Sequence, residues 1–219
     1  MSELRWAGIA GILFAILFTF GFLTAGDAPT GEENSDAEVN EYYEDSGNRQ
    51  MLVTVAYLLS ISALALVVFS RLGPYSLLRD SSESLTRHLG ALGMTGAVLA
   101  AAAIFLGGIA FATVAAGVEF QDDAADPGVA RFLNHFGYGA VLIWGGLAGA
   151  FSVASFAWGA LRSATMPAWL GWLGLLCAVI LLAAVVFIPM IALPLWVLVA
   201  GIWFLAKPTA LPATSPATA

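Results

Sequence analysis

From Trp6 to Ala25 the chain runs for 20 residues without a charged side chain. A helix of about 20 apolar residues is what crosses the hydrocarbon core of a bilayer. Comparable runs follow at about 51–70, 90–118, 135–161, 168–188 and 191–206. A soluble fold cannot hide them all, because its surface must face water; in lipid an apolar exterior is the matched one. The composition agrees: 11% of the residues are charged, against roughly a quarter in ordinary soluble domains. Runs such as 98–109 lack the alternation that a transmembrane β-barrel requires. The chain therefore reads as an all-α, polytopic transmembrane bundle of about six spans, one domain over 1–206. Residues 207–219, rich in Pro, Ala and Thr, read as a disordered cytoplasmic tail. The first run exceeds the apolar stretch of a secretory leader and reads as an uncleaved helix. The sixth is the shortest and opens beside Pro189 and Pro194, so a re-entrant final hairpin is the alternative to six full spans.

Basic residues set the expected orientation, since they concentrate on the cytoplasmic side. With the N-terminus inside, six alternating spans leave Arg5, Arg71, Arg79, Arg87, Arg162 and Lys207 inside and only Arg49 and Arg131 outside. The C-terminus is then inside as well. Carboxylates segregate more sharply. Asp27, Glu32, Glu33, Asp36, Glu38, Glu41, Glu44 and Asp45 fall in the first outer loop, and Glu119, Asp122, Asp123 and Asp126 in the second. Trp6, Trp158, Trp169, Trp172 and Trp203 lie near the inner ends of their spans, as an interfacial aromatic belt predicts.

The first outer loop is more than a linker. Ser35 followed by Glu38 has capping-box spacing. Val39, Tyr42 and Tyr43 then share one face of an expected helix of about ten residues that ends at Gly47 and lies at the outer surface. Val39, Tyr42, Tyr43, His135 and Trp144 are the candidate contacts for a ligand or partner. Asn134 is placed to cap a helix opening at His135. The carboxylates lack the spacing of a calcium-binding loop, so no dedicated metal site and no cofactor are expected. Cys177, the single cysteine, allows no intrachain disulfide.

No span carries Asp, Glu, Lys or Arg near its middle, which argues against proton-coupled transport, ion pumping and intramembrane proteolysis. Walker A, GxSxG, HExxH and CxxC patterns are missing, and no catalytic residue is assigned. A net charge of −7 argues against nucleic acid, which calls for a basic footprint. Small residues recur at helical spacing: Gly93 and Ala97, Ala103 and Gly107, and Gly145 and Gly149. These favour close helix packing, and make the third and fourth spans the expected central pair.

Three stretches carry a resemblance: MPAWLGWLG from Met166, PLWVLVAGIW from Pro194, and AEVNEYY from Ala37 with AYLL from Ala56. With them the chain resembles a group of uncharacterised actinobacterial-type multi-spanning membrane proteins, of the domain-of-unknown-function class. The resemblance implies a bacterial plasma-membrane address and no catalytic residue. The functional expectation is a non-enzymatic module that binds a membrane protein partner or a second copy of itself. A lipid or hydrophobic small-molecule binder is the alternative, and an enzyme built on His135 and the outer carboxylates a third.

Overall fold

A computed structural model describes residues 3–29, 34–121 and 125–207. The expectations placed on Glu32, Glu33, Asp122, Asp123 and the tail beyond Lys207 lie outside the described residues. Helix α1 spans Glu3–Thr24, the short α2 Asp36–Glu44, α3 Ser46–Leu72, α4 Pro74–Leu78 and α5 Ser84–Gln121. Helix α6, Pro127–Gly139, runs through a π-helical segment, Ala140–Gly145, into α7, Gly146–Ser163. Helices α8, Ala168–Leu181, and α9, Ala192–Ala206, form a final hairpin. No strand is present among the described residues. Helices α1, α3, α5, α7, α8 and α9 pack in sequence order, and α9 closes the ring against α1.

Among the described residues, five segments are long and apolar enough to cross a membrane; the protein is a multi-pass helical bundle. The fifth expected span, 168–188, is corrected. Helix α8 stops at Leu181 after 14 residues, about 21 Å of rise, short of a hydrocarbon core of about 30 Å. Beyond it, the chain turns through 3-10 segments at Ala184–Val186 and Ile188–Ile191.

Helix α9 runs antiparallel to α1. Gly8 meets the carbonyl of Gly201, and Gly11 that of Val197, with 2.7 and 3.1 Å between each ideal Cβ position and the oxygen. The start of α1 and the end of α9 thus share one face. That face is basic: Arg71 lies over the Tyr75 ring and Lys207 over the Trp203 ring, while Arg162 pairs with Glu83. The hydrogen bond from Arg162, then that from Thr86, holds the Glu83 carboxyl below the usual carboxylate range.

Lipid offers no hydrophobic drive between helices, so contact rests on packing and hydrogen bonds. Where α5 crosses α7, a Cβ on Gly96 would sit 2.8 Å from the backbone nitrogen of Ser152, and one on Gly93 2.6 Å from the Phe156 ring. Ser152 also donates to the Gly93 carbonyl at 2.8 Å. Ala97 is buried in the same seam, and Gly107 meets Val141 and the Gly137 carbonyl. Gly145 and Gly149 belong elsewhere. Gly149 meets Leu193, and Gly145 meets Met190 as well as Ala103, so they chiefly seat the final hairpin.

The two kinds of glycine on α5 separate in a stability measurement. Gly96→Val forces backbone apart and is expected to cost about 1–3 kcal/mol. Gly117→Val, where nothing lies within 4 Å of the new Cβ, is expected to stay within about 0.5 kcal/mol. Reversible unfolding of both variants in mild detergent checks this.

Candidate functional site

At the acidic face, α2 and the ends of α3, α5 and α6 make a hydrogen-bonded cap. Both halves of the capping box form: Ser35 Oγ accepts from the Glu38 amide at 3.3 Å, and the Ser35 amide donates to Glu38 Oε2 at 2.6 Å. These bonds from Ser35 hold the Glu38 carboxyl below its usual range. The helix ends at Glu44, and Asp45 rather than Gly47 breaks it, because Asp45 Oδ1 accepts from the Asn48 amide at 3.0 Å and so caps α3. Gly47 falls in the first turn of α3.

Helix α2 turns its apolar face inward. Val39 and Tyr43 are buried, and Tyr42 is half-buried with its ring edge-on to Tyr43. Asn134 receives Tyr43. The Asn134 Nδ2 donates to the Tyr43 hydroxyl at 3.2 Å and to the Pro29 carbonyl at 2.9 Å. Asn134 is therefore not a helix cap: it lies fully buried mid-helix, and Asp126 caps α6 by accepting from the Val129 amide at 2.9 Å. A Pro at the first helical position reinforces that start.

Two arginines clamp the cap from its sides. Arg49 reaches Glu119 at 2.9 Å and the carbonyls of Tyr43 and Glu44 at 2.9 and 2.7 Å. Arg131 reaches Asp36 at 2.8 Å and the Asn34 carbonyl at 2.6 Å. Asn48 adds a bond to the Tyr42 carbonyl. One guanidinium fork thus satisfies several acceptors at once. Below this layer, Tyr138 donates to the Ala25 carbonyl at 2.6 Å, and its ring meets Phe22 and Phe111 edge-on.

His135 and Trp144 stand apart from the cap core. His135 is exposed on α6, with no hydrogen bond to a carboxylate among the described residues. Trp144 points outward from the π-helical segment. Among the described residues no three His, Cys, Asp or Glu side chains gather closely enough to hold a metal ion. The reading of single residues missed the exposed edge beside the cap: Phe120 near the end of α5, 82% exposed, and Phe132 on α6, 66% exposed. Its sequence signal is the i, i+3, i+7 spacing of Val129, Phe132 and Phe136 beside charged neighbours. A concavity of about 450 Å³ opens sideways between α1 and α9, lined by Ile16, Thr19, Phe20, Leu23, Pro194 and Leu198 among others.

Burial raises the Tyr43 hydroxyl above its ordinary value of 10.0, the Asn134 bond opposing it. A pKa raised in the folded state means stability that is intact below about pH 10 and declines as pH climbs through the shifted value. Protection of the α2 amides, taken relative to the intrinsic exchange rate at each pH, is therefore expected to fall above pH 10, and Tyr43→Phe to remove that fall. Asn134→Ala leaves the Pro29 carbonyl without its donor and is expected to cost about 1–3 kcal/mol at neutral pH, read in the same exchange measurement.

Neither a curated protein nor a solved structure matches the chain. A family model described as a domain of unknown function, DUF4386, matches residues 5–207. That match takes in every span and the whole cap, so the chain belongs to the DUF4386 family.

Proposed function

We propose that the protein is a non-enzymatic module of a bacterial plasma membrane that holds a membrane protein partner at its acidic face. The observation that supports this is the aromatic edge of α5 and α6. Phe120 follows Glu119, the residue paired to Arg49, and Phe132 follows Arg131, the residue paired to Asp36. Both rings therefore stand at the level of ion pairs, where the surroundings are polar, yet they stay exposed. Exposed apolar surface rimmed by charge is the mark of an interaction surface. Because Val39 and Tyr43 already pack inward, the partner meets this edge rather than the buried face of α2. The glycine stripes are likewise spent on internal packing, which places self-association through them second.

A hydrophobic ligand is the other reading, and the apolar concavity between α1 and α9 favours it. The two part company in a native mass spectrum of protein extracted gently from its own membrane. The partner reading expects a protein subunit at fixed stoichiometry, lost from a Phe120→Ser, Phe132→Ser double variant whose own melting temperature is unchanged. Wild-type protein carrying only a specific lipid or small molecule, released by Ile16→Trp in the concavity, overturns it in favour of the ligand reading.

A further inference from the structure

From Ala168 to Ala206 the chain has 39 consecutive residues without a single Asp, Glu, Lys, Arg, His, Asn, Gln, Ser or Thr. This stretch includes the whole turn between α8 and α9. A turn that emerges into water carries polar or charged side chains, as the loops at 26–50 and 119–131 do. Here the outward-facing residues of the turn are Leu182, Val185, Val186 and Ile188, the last two 68% and 72% exposed.

Depth is set by contacts. Phe187 stacks on Phe22 with ring centroids 4.9 Å apart, one turn short of Ala25, whose carbonyl takes the Tyr138 hydroxyl. On the α8 side, Ala184 meets Gly146 of α7, deeper than Tyr138 by two turns of that helix. The turn thus lies inward of the layer where the cap's first polar bonds form. The short α8 agrees with that depth.

The backbone is built for a medium without water. The amides of Leu182, Ala183, Val186, Phe187 and Met190 donate to the carbonyls of Val179, Ile180, Ala183, Ala184 and Phe187, at 2.9 to 3.2 Å. Non-helical backbone at membrane depth must find its partners within protein, and these 3-10 bonds supply them without any side chain. To make the reversal this way, Phe187 adopts φ 75° and ψ −66°, a left-handed conformation that costs a bulky residue. These are the angles of a γ-turn, which a glycine would adopt more freely; the sequence keeps an aromatic ring that stacks on Phe22 instead.

We infer that the tip of the α8–α9 hairpin is a lipid-contacting surface: Leu182, Val185, Val186 and Ile188 are immersed in acyl chains and never reach the water beyond the acidic face. Both helices then enter and leave through the basic face, with the tip as an apolar wedge in the opposite leaflet.

The test uses the full chain in liposomes of phosphatidylglycerol and phosphatidylethanolamine, with Cys177→Ser as background. Val186→Cys is expected to react with a membrane-impermeant maleimide, added to both sides, about tenfold or more slowly than Glu41→Cys, since hydrocarbon suppresses the reactive thiolate. A spin label on the same cysteine is expected to collide freely with oxygen and rarely with a water-soluble nickel chelate. A second position, Leu182→Cys, is expected to behave alike, which separates a property of the turn from a local defect of one variant. Labelling of both positions at the rate of Glu41→Cys places the turn in water and overturns the inference. Shielding from oxygen and nickel alike overturns it too, because protein rather than lipid then covers the tip.

Discussion

The close crossing of α5 over α7 is the contact on which the rest of the bundle depends. Lipid tails compete with leucine on equal terms, so nothing apolar distinguishes helix from solvent. What remains is distance. Gly93 and Gly96 let α7 approach until Ser152 bonds to a backbone carbonyl and the Phe156 ring covers the bare backbone. With this pair fixed, α5 offers its other side to α3, where Gly108 lies against Ala56 and Leu59. Helix α7 likewise offers Gly146 and Gly149 to the hairpin.

The cap solves a different problem, that of helix ends in a polar medium. Its interior is small: Val39, Tyr43, Asn134 and the Pro29 carbonyl. Its strength comes from arginines that reach backbone oxygens as well as carboxylates. An exposed ion pair alone contributes little, whereas Arg49 and Arg131 also donate to the carbonyls of Tyr43, Glu44 and Asn34. The cap is therefore tied to four segments of chain at once, and its order is coupled to the spacing of α3, α5 and α6.

Much of this was legible because it is local. The Ser35–Glu38 box depends on a spacing of three residues and nothing else, and the apolar runs announce themselves by length. The boundaries that went astray were those decided by distant partners. Asn134 reads as a cap until Tyr43 and Pro29, far away in sequence, claim its amide. Asp126 followed by Pro127 was the local sign of the true start. Gly145 and Gly149 announce close approach, but not which helix approaches, since a spacing of four fixes a face and not its neighbour. The run from 168 onward is uniformly apolar, so hydropathy alone sees no place for α8 to stop; the missing polar turn is visible only as an absence.

The π-helical segment has a consequence for how this chain tolerates change in length. Each residue of an α-helix turns it by about 100°. The segment between Ala140 and Gly145 sets the rotation of everything before it relative to everything after it. With the present count, Asn134 and Arg131 face the cap while Gly146 and Gly149 face the hairpin. Removing one residue there would let the π-helical turn close into ordinary α-helix, whereas adding one would swing α6 by about a quarter turn, pointing Asn134 away from Tyr43 while leaving α7 seated. The phase of α6 against α7 is held from both ends, by Arg131 and Asn134 in the cap and by Gly146 and Gly149 at the hairpin.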